Sequence, residues 1–251
     1  MQANKGLKIA VGGKGGVGKT TVCAVLAQLL AGRGLDVLAV DADPDTNLAA
    51  AFGIGAESAP RPLTAMKELI RSTAGEAGSY FKLNPDVSSI PQQYWIKAGS
   101  DPSNPVKLLV LGDTARAGGG CACPEGAFLK AMMNHTILHR NELVLVDLAA
   151  GVEFMGRASI QGIDLLITVV EPGVRSIETA LHIASMAEKL GVKRTVAVAN
   201  KISGEEHSDF ISKRLEGVEV TAEIGYDKSV QNADLRRENV AGADSSLRAS
   251  L

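Results

Sequence analysis

The segment Gly13-Lys14-Gly15-Gly16-Val17-Gly18-Lys19-Thr20-Thr21 carries the clearest chemistry in this chain. A glycine, four residues and then Gly-Lys-Thr is the spacing of a phosphate-binding loop. Glycines take backbone conformations closed to other residues, so successive N–H groups can turn inward onto phosphate oxygens. Lys19 is expected to place its ammonium on the β- and γ-phosphates, and Thr20 its hydroxyl on a bridging Mg2+. The preceding Leu7–Val11 reads as a buried strand, and Thr20 to Leu30 as a helix whose N-terminus faces the anion. Lys14 is extra to this pattern. It lies too early in the loop to duplicate Lys19. It reads equally well as a solvated loop lysine or as a cation reaching a nucleotide on a second copy of the chain, as an arginine finger does.

Carboxylates follow two other apolar runs. Asp147 ends Leu143-Val144-Leu145-Val146, the arrangement in which a strand tip holds Mg2+, usually through water. The alternative, a helix N-cap, is the weaker reading. Downstream, Gly151 is placed to donate its N–H to a γ-phosphate and so to act as a switch. The second run leads into Asp41-Ala42-Asp43-Pro44-Asp45-Thr46-Asn47. Alternate residues of an extended chain face opposite ways, so Asp43 is assigned to orienting the attacking water and Asp41 to the magnesium shell or to structure. Turn chemistry competes for this segment, but the carboxyl edge of such a sheet is where ligands bind. Asn200-Lys201, after another apolar run, could read a purine edge.

Cys121-Ala122-Cys123 is the remaining constellation. Two thiolates supply half of the four ligands a soft cation prefers. His135 and His139 share a helical face, but on a continuous helix from Pro124 the nearer one lies ~15 Å away, at ~1.5 Å per residue. The spacing therefore points to two chains donating two cysteines each on a two-fold axis, against a bland reading as unligated thiols or a redox couple. Pro124 after Cys123 starts a helix whose N-terminus would favour thiolate. Cys23 reads as a small core residue.

Such residues need a scaffold that brings strand ends to one edge. Apolar runs at Leu7–Val11, Asp36–Val40, Val106–Leu111, Glu142–Asp147, Asp164–Val170, Arg194–Ala199 and Val218–Ile224 alternate with helical patterns. Those patterns are Thr20–Ala31, Leu63–Ser72, Pro124–His139, Val174–Leu190, His207–Leu215 and Ser229–Arg237. The alternation predicts one α/β domain over residues 1–251, doubly wound, with a mostly parallel sheet of about seven strands. Ile177, Leu181 and Ala184 share one face of their helix, and Gly191 ends it. The stretch Thr46 to Pro105 is long for a connection, hence functional or disordered. Tyr94 and Trp95 within it are expected to pack it onto the body.

A net charge of -2 over 251 residues argues against a general nucleic-acid binder. No apolar run suits a membrane span, and Val240–Leu251 is a poor membrane-surface helix. The N-terminus shows no signal-peptide core. The cysteines suit a reducing cytoplasm.

Taken together these residues resemble the deviant-Walker-A P-loop ATPases, the class of the nitrogenase iron protein and the division (MinD) and partition (ParA) ATPases. The signature is Lys14-Gly15-Gly16-Val17-Gly18-Lys19-Thr20-Thr21. The resemblance implies that Lys14 acts across the interface of an ATP-closed homodimer. Within the class the chain is similar to the CooC-type ATPases of carbon monoxide dehydrogenase maturation. The likeness is carried by Asp41-Ala42-Asp43-Pro44, Phe81–Pro85, Gly120-Cys121-Ala122-Cys123-Pro124-Glu125, Ala150–Glu153, Val170-Glu171-Pro172 and Ser176–Thr179. It implies Ni2+ or Zn2+ on Cys121 and Cys123, promoting the dimer, and a client, carbon monoxide dehydrogenase or acetyl-CoA synthase. Other class functions, membrane or DNA positioning and iron–sulfur electron transfer, would require a membrane tail, a basic face, or well-separated cysteines.

Overall fold

A computed structural model describes residues 6–76, 78–112, 123–138, 143–151, 162–242 and 251. The strands are β1 (Lys8–Gly13), β2 (Val37–Ala42), β3 (Ile96–Ala98), β4 (Val106–Val110), β5 (Leu143–Leu148), β6 (Leu165–Val170), β7 (Arg194–Ile202) and β8 (Glu219–Gly225). They form one sheet in the order β3-β4-β2-β5-β1-β6-β7-β8. Every pairing is parallel except β3 with β4. The helices are α1 (Lys19–Gly32), α2 (Leu48–Ala51), α3 (Lys67–Ala74), α4 (Ile90–Tyr94), α5 (Pro124–Leu138), α6 (Val174–Lys189), α7 (Glu205–Arg214) and α8 (Lys228–Arg236).

The central strands are buried end to end, which is why Val37–Ala42 and Leu143–Leu148 read as unbroken apolar runs. Alternation still sorts their side chains between the two faces. Ile9, Val11, Val37 and Ala39 pack with α1 and α2, while Ala10, Leu38 and Val40 pack with α3 and α5. Truncating one such residue, Leu38 for example, should cost about 2–5 kcal/mol. Helix α6 lies across a seam: Ile177 and Ala180 face β7 and α7, with Leu181 and Ala184 alongside, while Ile183 and Ala187 face the α5 side. It ends in a Schellman turn, with Gly191 at φ 79 and the Val192 N–H donating to the Ala187 carbonyl at 3.0 Å.

The sheet has one strand more than the sequence suggests, eight against about seven. The addition, β3, is three residues long and antiparallel at the edge, too short to show alternation. It belongs to the long stretch after Thr46, which is structured: α2, a 3-10 turn at Leu63–Ala65, α3 and α4 also lie in it. The expected helix at 63–72 splits because the Thr64 N–H donates to the Leu111 carbonyl at 3.0 Å, pinning that turn to the end of β4. Tyr94 and Trp95 pack against the α3–α5 core as expected.

The chain leaves β1 toward β2 on one side of the sheet and later leaves β5 toward β6 on the other. The carboxyl ends of β1, β5 and β2 therefore border the crevice where strand order reverses, the position at which α/β sheets bind ligands.

Candidate functional site

The phosphate-loop motif occupies the turn from β1 into α1. Gly13, Gly16 and Gly18 sit at φ 144, 82 and 97, conformations that side-chain-bearing residues rarely take. Space demands glycine as well: a Cβ on Gly13 would stand 2.5 Å from the Val169 carbonyl oxygen. Gly18 caps α1 without a side chain, and the first turn of the helix itself holds no acid, as suits a helix end that receives an anion. Lys19 is buried there, at 7% exposure. Gly15, Lys19, Thr20, Thr21, Asp43 and Ala150 line a cleft of about 400 Å³ over this helix end.

Asp41 and Asp147 reach the floor of the crevice from β2 and β5, and both are fully buried. The Asp41 carboxylate accepts from the N–H groups of Asp43 (3.1 Å) and Leu48 (2.9 Å), so it organises the loop that carries Asp43 and starts α2. Burial pushes its pKa up to about 6 against the pull of those donors. Asp147 has no hydrogen-bond partner on either oxygen. Burial, with the neighbouring Asp41 charge adding, pushes it up to about 8. The neighbouring Thr20 hydroxyl and the Lys19 charge oppose that rise. A buried carboxylate with both oxygens unmet, beside a threonine hydroxyl, is a donor set that fits Mg2+.

Asp43 stands at the rim of the same cleft, its Oδ1 accepting from the Asp45 N–H at 3.0 Å. Thr46 in this loop holds φ 47, an unusual conformation for a β-branched residue and a local source of strain. The Gly151 N–H donates to the Gly13 carbonyl at 3.1 Å. Reaching a γ-phosphate requires that bond to open.

Asn200 is buried under the loop. Its amide donates to the Val17 carbonyl at 2.8 Å, and its carbonyl oxygen accepts from the Lys201 N–H at 2.9 Å. The residue thus braces the phosphate loop while also lining a second cleft, about 380 Å³, with Gly18, Tyr226 and Gln231. Lys201, at φ 60, donates to the Gly16 carbonyl at 2.6 Å and to Glu171 at 2.8 Å. Lys14 points the same way, its Nζ 3.6 Å from the other Glu171 oxygen. The Glu171 backbone is itself held by the Ser176 hydroxyl at 3.0 Å. Residue-by-residue reading missed this junction, because nothing in the spacing of Glu171, Lys201 and Lys14 announces it. Tyr226 and Gln231, joined at 3.0 Å, were missed for the same reason.

Cys121 lies outside the described residues, as does His139. Cys123 precedes α5, and its Sγ accepts from the Gly126 N–H at 3.3 Å. Helix α5 runs unbroken to Leu138, so His135 lies turns away from Cys123 along it, as expected. Among the described residues no three His, Cys, Asp or Glu side chains are grouped to hold a metal ion. Cys23 is fully buried in α1 against the aspartates, which add to burial in pushing its thiol pKa well up.

The CobQ/CobB/MinD/ParA nucleotide binding domain family matches residues 8–240. The chain belongs to that family. The expectation of a P-loop ATPase of the deviant Walker A type stands with that membership. The chain is 42% identical to the carbon monoxide dehydrogenase accessory protein CooC of Rhodospirillum rubrum, over 91% of this chain and 87% of that one. An uncharacterized ATP-binding protein of Methanocaldococcus jannaschii is 36% identical over 89% of this chain and 87% of its own length. Among solved structures, the MinD cell division protein of Aquifex aeolicus aligns with TM-score 0.64 and 21% identity, covering 96% of this chain and 93% of its own. A ParA family ATPase from Chlorobium tepidum aligns with TM-score 0.66 and 16% identity, over 98% and 96% of the two chains. These structures establish the shared fold. Among the described residues, no helix is long and apolar enough to cross a membrane.

Proposed function

We propose that this protein is an ATP-driven accessory factor that works as a homodimer and delivers Ni2+, or Zn2+, as cargo to carbon monoxide dehydrogenase or a related client. The observation that carries the reading is the similarity to the Rhodospirillum rubrum accessory protein along nearly the whole chain. The Cys121-Ala122-Cys123 sequence supports it, because four thiolates from two copies would complete a site that one chain leaves half-built.

In this reading Lys19 and the N–H groups of Gly15 to Thr20 hold the phosphates. Thr20 and Asp147 would hold Mg2+, which would supply charge neutralisation to the phosphates. Asp43, at the rim, orients the attacking water. Lys14 is supplied to the nucleotide of the partner subunit. ATP binding closes the dimer and hydrolysis reopens it. Delivery is coupled to that cycle if the cargo ion binds the two states with different affinity.

Cys121→Ser and Cys123→Ser are expected to lower metal bound per dimer in equilibrium dialysis while ATP binding survives. Unchanged metal stoichiometry would refute the site. The fold shared with MinD and ParA proteins favours a second reading, a positioning ATPase. Nucleotide-dependent sedimentation with anionic liposomes or with DNA, and no metal dependence, would select it.

A further inference from the structure

Glu171 stands at the carboxyl edge of the sheet, one residue past β6. Its strand runs beside β1, where Val169 is the register partner of Gly13, so the turn out of β6 rises next to the start of the phosphate loop. The Glu171 N–H donates to the Ser176 hydroxyl at 3.0 Å, which ties the residue to the first turn of α6. Two lysines converge on its carboxylate. Lys201 donates to Oε2 at 2.8 Å and to the Gly16 carbonyl at 2.6 Å, so it straps β7 to the loop. Lys14 stands 3.6 Å from Oε1, near enough for an ion pair and too far for a hydrogen bond.

The two contacts differ in how they break. Lys201 is fixed at both ends, by its two hydrogen bonds and by a backbone at φ 60. Lys14 has one loose contact, and 38% of its side chain is exposed. When Lys14 leaves, Lys201 stays on Glu171, so the carboxylate is not stranded without a cation. Lys14 is thus held on its own chain by a contact that can be released without leaving a bare charge. One ammonium cannot serve Glu171 and the phosphates of a second copy together. Whatever the pairing contributes to the open chain therefore opposes closure of a dimer that needs Lys14 elsewhere.

We infer that Glu171 is an intramolecular brake on dimer closure: it parks Lys14 on its own chain until the nucleotide of a second copy displaces it. The inference rests on the reading that Lys14 serves the partner's nucleotide. A partly exposed pair of this kind shifts an equilibrium by about two- to five-fold. A two-fold dimer must release a lysine from each chain, so the brake amounts to about four- to twenty-five-fold in the dimer dissociation constant.

Sedimentation velocity over a range of protein concentrations, at saturating Mg2+ and a non-hydrolysable ATP analogue, tests it. Glu171→Gln keeps an acceptor for Lys201 and removes the charge that holds Lys14. It should lower the concentration for half-dimerisation by about four- to twenty-five-fold. In a Lys14→Ala background the same substitution should change nothing. No gain from Glu171→Gln, or an equal gain in both backgrounds, overturns the inference. If Lys14→Ala forms too little dimer to measure, the dimethylammonium resonance of reductively methylated Lys14 carries the test. It should move on Glu171→Gln in the nucleotide-free chain and ignore that substitution in the closed dimer. A resonance indifferent to Glu171 in the free chain, or still responsive to it in the dimer, overturns the inference. Failure of the underlying reading looks different, because Lys14→Ala would then dimerise as well as the wild type.

Discussion

Asp41 and Asp147 are register partners across the β2–β5 pairing, yet one carboxylate accepts from a backbone N–H on each oxygen and the other accepts from none. The contrast separates them: Asp41 shapes the loop, and Asp147 keeps the acceptor capacity that the proposed function gives to Mg2+. It also sets a pH dependence. Burial raises both folded-state pKa values above the carboxylate reference, to about 6 and about 8. An unfolded chain loses these protons near pH 4, and the folded chain holds them to higher pH. The nucleotide-free fold should therefore lose stability as pH rises from about 4 toward 8 and change little from these groups above that. Asp147→Asn should raise apo stability at pH 8 by about 1–3 kcal/mol, because it removes an uncompensated buried charge. It should leave the smaller Asp41 slope between about pH 4 and 6 in place. Urea unfolding at pH 5, 6.5 and 8 reads both effects, and a flat wild-type profile would contradict the assignment.

Gly18 and Asn200 make a second pair whose fit is specific. A Cβ on Gly18 would stand 2.4 Å from the Asn200 amide nitrogen, at a φ of 97. Gly18→Ala should therefore displace the Asn200 brace as well as strain the loop, at a combined cost of about 1–3 kcal/mol. Asn200→Ala should weaken ADP binding, since it strands the buried Val17 carbonyl of the loop. Calorimetry would show both losses. Tight ADP binding by Asn200→Ala would remove the bracing role.

Which parts of this site could be read without coordinates follows from how local their causes are. The phosphate loop is legible because each glycine answers a local backbone demand, and Asp147 because a carboxylate ending a buried strand is unusual wherever it occurs. Asp41 was half-read: strand alternation separates it from Asp43, but only the fold shows Leu48 turning back onto it. Glu171 is not singled out from the residues because its meaning lies in convergence: its partners Lys14 and Lys201 come from segments far from it in sequence, and no periodicity links the three. The missing strand β3 has the same origin, since three residues at an edge are specified by their neighbour β4 and not by their own pattern.

Gly53 illustrates that kind of long-range demand. It ends α2 at φ 76, and a Cβ there would meet the Asn239 backbone nitrogen at 2.7 Å. Asn239 in turn exchanges two amide hydrogen bonds with Gln28 of α1, at 2.9 and 3.0 Å. Gly53→Ala should push the segment after α8 off α1 and cost about 1–3 kcal/mol in unfolding free energy. Gln28→Ala, which removes the tie together with the Gln28 bonds to Ser100 but adds no crowding, should cost less. Equal thermal midpoints for Gly53→Ala and the wild type would show that the contact gives way freely.

The resting position of Lys14 leads to the last prediction. Its ammonium lies 3.6 Å from a Glu171 oxygen on its own chain, while Lys201 takes the other oxygen at 2.8 Å. All three side chains are partly exposed, so the pairs are worth little to stability, about 0–1 kcal/mol each. Their consequence is electrostatic and local, because Glu171 offsets positive charge beside a site built for an anion. Glu171→Gln should therefore leave the unfolding free energy within about 1 kcal/mol of wild type and tighten ADP binding about two- to five-fold at low salt, the gain shrinking as salt screens it. Lys14→Ala should behave differently. If Lys14 serves the partner's nucleotide, its loss should cut ATP turnover far more than ADP affinity, and mixing Lys14→Ala with a chain disabled at Lys19 should restore part of the turnover, since each mixed dimer keeps one complete site. Turnover equal to wild type in Lys14→Ala would leave the pairing with Glu171 as its whole role, and a loss of turnover with no recovery on mixing would confine the action of Lys14 to its own subunit.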